Sequence, residues 1–185
     1  MKKATDNAAG TIEVNRAPVL TLWAAVVARR LGYTKDAALT LGKAVAGLNA
    51  QSKGRKLGLY QPADKGEKPD KARKAQQRAG VRQVEVCGRP VTVAETDDGV
   101  RAVSKGKPIS PEGVEDYLER SFGEHLGAVR DAMTALAKAY KPKELEREAY
   151  GLYERFRPAI PAGKKGWGAK GTLDLGLIRS LAEPK

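Results

Sequence analysis

Residues 15–50, NRAPVLTLWAAVVARRLGYTKDAALTLGKAVAGLNA, decide the fold: an apolar run, a break at Gly32, then a second run rich in small residues. Asn15 is a favoured N-cap, and Pro18 falls in the first turn, where its missing N–H costs nothing. A helix is predicted from there to Leu31. Leu20, Trp23, Val27 and Leu31 share one stripe, while Leu22 and Val26 spread apolar surface beyond it, which places this helix at the centre of its domain. Gly32-Tyr33-Thr34 ends it. Thr34 then caps a second helix of about sixteen residues, reaching Ala50, with Ala38, Leu41, Val45 and Leu48 as its buried row. Ala37, Gly42, Ala44, Ala46 and Gly47 let another backbone come close.

Outward from this pair the chain changes character twice. Residues 51–80 are rich in Lys, Arg, Gly and Pro, with Leu57, Leu59 and Tyr60 as their only large apolar residues, and read as an exposed connector that orders on an acidic partner. Residues 81–103 alternate in the manner of strands: Val81–Val86, then Val91 and Val93, then Val100–Val103 after the Asp98-Gly99 turn. These make a three-stranded antiparallel meander or a hairpin with an extra edge, which must pack on helices. Beyond it the chain reads as helical. Ser110-Pro111 starts one helix, Ser121-x-x-Glu124 has the form of a capping box, and Phe122, Leu126, Val129, Met133, Leu136 and Tyr140 form an amphipathic stripe. Pro142 opens another helix with Leu145, Ala149, Leu152 and Phe156, ended by Arg157-Pro158 and expected to lie antiparallel on the one before it. Thr172 is expected to cap a short last helix carrying Leu173, Leu177, Ile178 and Leu181. The fold class is therefore mainly α with a small antiparallel β-meander (α+β). It divides into an N-terminal unit (1–60), a basic linker or arm (61–80), and a meander plus helical body (81–185).

Charge is distributed unevenly. The formal net charge is +12; residues 1–90 hold 18 Lys and Arg against 7 Asp and Glu, whereas residues 91–185 hold 16 against 15. So one-sided a field draws polyanions to one end of the molecule. The 41% hydrophobic content is ordinary for a globular chain. The single cysteine, Cys87, excludes an internal disulfide and fits a reducing compartment. The apolar stretch Ala17–Ala28 is too short to span a bilayer and lacks the flanks of a secretory signal, so a cytoplasmic protein without a membrane partner is expected.

Residues 24–43, AAVVARRLGYTKDAALTLGK, resemble the helix-turn-helix of DNA-binding proteins: small Ala28 one turn before the break, Leu31-Gly32 at it, and Tyr33, Ala38 and Leu41 at buried positions. The resemblance implies a second helix in the major groove, with Thr34, Lys35, Asp36, Thr40 and Lys43 facing DNA. A plain helical hairpin in a core carries the same pattern. Lys53, Arg55, Lys56, Lys71, Arg73, Lys74 and Arg78 follow, with glycines that let backbone amides approach phosphates. A second cationic loop, Gly163–Gly171, sets Lys164, Lys165 and Lys170 beside Trp167, an indole that either stacks on a base or tucks into the body. It is not a phosphate-binding Walker loop, because Ala169 stands where the lysine must follow Gly168.

Catalytic groups are sparse. His125 is the only histidine, Cys87 has no metal-binding or redox partner nearby in sequence, and the carboxylates of 112–119 read as a solvated helix face. No cofactor and no metal are expected. The expectation is a binder of duplex DNA, a transcriptional regulator or architectural factor. RNA or single strands held by Tyr60 and Trp167 are the alternative within that class. A protein–protein adaptor, homodimeric through its C-terminal helices, is the alternative outside it.

Overall fold

The centre of the molecule is a helix with no solvent face over most of its length. In the computed structural model, which describes residues 10–56, 81–104, 106–160 and 170–183 (for 49–56 the helix path alone), helix α1 spans Arg16–Arg30 and is buried continuously from Pro18 to Ala28. Its buried hydroxyl and indole find partners within the fold: Thr21 donates to the Ala17 carbonyl at 2.8 Å, whereas the N-cap residue Asn15 makes no side-chain cap bond and its Oδ1 is buried without a partner. Trp23, fully buried, donates its indole N–H to the Ala149 carbonyl at 2.8 Å and meets Phe156 edge-on, with ring centroids 5.3 Å apart. The helix closes as the sequence predicts. Gly32 at φ +108° donates to the Arg29 carbonyl and Tyr33 to that of Ala28, which consumes two of the carbonyls a helix end leaves open.

Helix α2, Lys35–Lys56, begins at Thr34, whose hydroxyl accepts from the Ala37 amide at 3.3 Å, and runs longer than the sequence suggests. It returns along α1 as a close αα-hairpin. A Cβ on Gly42 would sit 2.2 Å from the Thr21 carbonyl oxygen and 3.2 Å from the Ala25 Cβ. Thr21 lies eleven residues before Gly32 and Gly42 ten after it, so the two helices still touch far from their turn.

Strands β2 (Val81–Val86), β3 (Arg89–Thr96), β4 (Gly99–Ser104) and β5 (Lys107–Pro108) form an antiparallel meander in that order, one strand more than the sequence predicts. Its buried side chains, Val86, Val91, Val93 and Ala102, belong to the same core as α1 and α2, and β3 and β4 pack on α2. In a second sheet, whose pairing the sequence does not announce, β1 (Thr11–Val14), in a lead-in that reads as mobile or strand-like, pairs antiparallel with β6 (Gly171–Asp174), Ile12 opposite Leu173 and Val14 opposite Gly171.

The C-terminal helices depart from expectation in detail. Helix α3 (Pro111–Phe122) is capped by Ser110, which accepts from Gly113 N–H. Ser121 caps nothing: it lies inside α3 and donates to the Tyr117 carbonyl. A 3₁₀ turn at Gly123–His125 divides the expected continuous stripe, and α4 spans Leu126–Lys138. Helix α5 (Pro142–Phe156) packs on α1, whereas α4 packs on α1 and on α6 (Leu175–Ala182), in place of the antiparallel α4–α5 pair. Asp174, not Thr172, caps α6, accepting from Leu177 N–H, because Thr172 is taken into β6. The result is an α+β fold with two small antiparallel sheets. Among the described residues no helix is long and apolar enough to cross a membrane.

Candidate functional site

The residues picked out from sequence divide into three groups. Thr34 and Lys35 are exposed on the first turn of α2, and Lys170 is exposed just ahead of β6. Thr40 is a correction. It is fully buried, donates to the Ala37 carbonyl at 2.8 Å and accepts from the Ala102 amide at 2.9 Å, so it joins α2 to the sheet and cannot face DNA. The reason is local: β5 is only two residues long, and the Thr40 hydroxyl takes the amide that a longer neighbour would have paired. Lys43 is half-buried, its ammonium 3.7 Å from the centroid of the Tyr117 ring, and burial lowers its pKa. Asp36 is exposed and pairs with the buried Arg101 guanidinium, 3.7 Å distant. Lys53, Arg55 and Lys56 lie on the last turns of α2, whose side chains fall outside the described residues. Lys71, Arg73, Lys74, Arg78, Lys164, Lys165 and Trp167 also lie outside them.

Ala37 to Gly42 are buried without interruption, so this stretch of α2 presents no face to a duplex groove. Beyond Ala46, its last buried side chain among those described, α2 continues ten residues to Lys56, or roughly 15 Å of helix at 1.5 Å per residue.

A groove of about 550 Å³ lies where α1, α2 and α4 meet. Each helix supplies one face at helical spacing: Leu22, Ala25, Val26, Arg29 and Arg30 from α1; Lys35, Ala38 and Leu39 from α2; Arg130, Thr134, Ala137 and Lys138 from α4. The floor is apolar, the rim holds five cations, and among the described residues no carboxylate lines it. Arg130 is clamped by Glu115, both carboxylate oxygens within 3.0 Å of one guanidinium nitrogen. Arg30 donates to the Tyr140 carbonyl at 3.2 Å, while its Nε–H is buried without an acceptor. Arg29 bonds the Tyr33 carbonyl, and neither it nor Lys35 nor Lys138 forms an ion pair among the described residues. This constellation was missed in the sequence. Arg29-Arg30 after an apolar run is visible there, but nothing local tells that α4 packs beside it.

Burial pushes the Cys87 thiol up to about 12, leaving it a packed apolar group. His125 lies beside Glu124 at 3.9 Å in the 3₁₀ turn. No cluster of three or more His, Cys, Asp or Glu suited to a metal ion occurs among the described residues. Protein-family models, curated proteins and solved structures all give no match to this chain.

Proposed function

We propose that this protein binds the phosphate backbone of nucleic acid, duplex DNA foremost, through the cationic extension of α2 and the basic stretch that follows it. What supports the reading is the continuation of α2 to Lys56, which sets Lys53, Arg55 and Lys56 on one helix at the head of a run with ten Lys and Arg against three Asp and Glu between Lys53 and Arg82. Cations clustered in this way meet successive phosphates by charge and hydrogen bonding. The helix-turn-helix likeness contributes Thr34 at an exposed helix start. With Ala37–Gly42 enclosed, contact through α2 is with backbone rather than base edges, and weak sequence preference follows.

Fluorescence anisotropy with a labelled 20-base-pair duplex at graded salt tests this. If about six cations engage phosphates, log affinity falls against log salt with a slope near −5, and unrelated sequences bind within a few-fold of one another. An affinity indifferent to salt, or no binding at low salt, refutes it.

A further inference from the structure

We infer that the groove between α1, α2 and α4 is a docking site for an acidic amphipathic helix of a partner protein, separate from the nucleic-acid surface. Its floor, formed by Leu22, Val26 and Leu39 with alanines from α2 and α4, is apolar, which a ribose-phosphate backbone cannot fill. Charge decides what kind of apolar occupant enters. Arg130 and Lys138 stand eight residues apart, roughly 12 Å along α4, while Arg29 comes from α1 and Lys35 from α2. Cations spaced along the rim fit several carboxylates at successive helix turns, not one headgroup at one end. Glu115 compensates Arg130, but Arg29, Lys35 and Lys138 form no ion pair among the described residues, so the rim keeps a net positive charge. An occupant with leucine-like anchors at i, i+3, i+4 and i+7 and glutamates on its flanks matches floor and rim together.

The probes are two synthetic 16-residue peptides of identical Leu/Glu/Ala composition, one with its leucines on a single helical stripe and one permuted to scatter them. Titrated into the ¹⁵N-labelled full chain, the striped peptide should shift amide signals of Leu22, Val26, Leu39 and Ala137 and bind at least about tenfold more tightly than the permuted one. Lys35→Glu with Lys138→Glu, both exposed and checked for fold by circular dichroism, should weaken it by about tenfold or more. Lys53→Ala, Arg55→Ala and Lys56→Ala together should leave it unchanged, and so should an added duplex. Equal binding of the two peptides, shifts elsewhere, displacement by duplex, or no binding at millimolar peptide overturns the proposal. None of these outcomes depends on whether the chain binds DNA.

Discussion

Thr40 is a single hydroxyl holding a helix to a sheet. Replacing it with valine keeps the shape but leaves the buried Ala102 N–H without an acceptor, which costs about 1–3 kcal/mol. Thr40→Ser keeps the bond and should cost less. Urea denaturation of both variants checks this, and equal stabilities would remove Thr40 from the joint. Cys87 makes a second residue-scale case. It occupies a two-residue hairpin turn with Gly88, both at positive φ, and its side chain is buried. Burial holds its thiol near 12, above the ordinary 9.0, so it should resist iodoacetamide at pH 8 in the folded chain and react within minutes in urea. The sign of the linkage follows. The unfolded chain ionises first as pH rises, so this group's share of stability is complete below pH 9 and is lost between there and about 12, at up to about 1.4 kcal/mol per pH unit. Cys87→Ala removes that share of the slope. An urea midpoint with the same pH dependence in both chains would contradict it.

At the scale of elements, the α1–α2 hairpin depends on one missing side chain. Gly42→Ala would gain about 1 kcal/mol of helix propensity. Yet the new methyl would press on the Thr21 backbone oxygen, and a helix must shift, so a net loss of about 1–2 kcal/mol is expected. A stabilised variant would mean the helices part easily. The two helices were legible because their signals are local: the cap at Thr34, the break at Gly32, and apolar spacing between; Asn15 marks the start of α1, but its side chain makes no capping bond. The Gly32 closure and the Ser110 cap were legible for the same reason. Ser121 and Thr172 were misread because their cap signatures are equally satisfied inside a helix and inside a strand. The β1–β6 pairing joins Ile12 to Leu173 across most of the chain, and no local pattern announces a partner that distant. Thr40 misled for a related reason: a polar residue on a helix reads as surface until the neighbour that satisfies it is known.

For the whole molecule, one continuous core runs through β1, α1, α2, the meander and the C-terminal helices. Folding should accordingly be a single cooperative event, with far-ultraviolet circular dichroism and Trp23 burial lost at the same urea concentration; separated transitions would contradict a shared core. Charge divides along different lines from packing. The core joins the two halves of the chain, while the excess of cations stays with the first ninety residues. That asymmetry was legible from composition. The groove among α1, α2 and α4 was not, since it exists only where three distant segments meet. The most direct test of the phosphate-binding account compares the native chain with the Lys53→Ala, Arg55→Ala, Lys56→Ala variant by duplex anisotropy across a salt series. If the α2 extension engages the backbone, the variant's log–log slope should be shallower by about 2.5 to 3 with its unfolding midpoint unchanged; an identical slope in the two chains would contradict it.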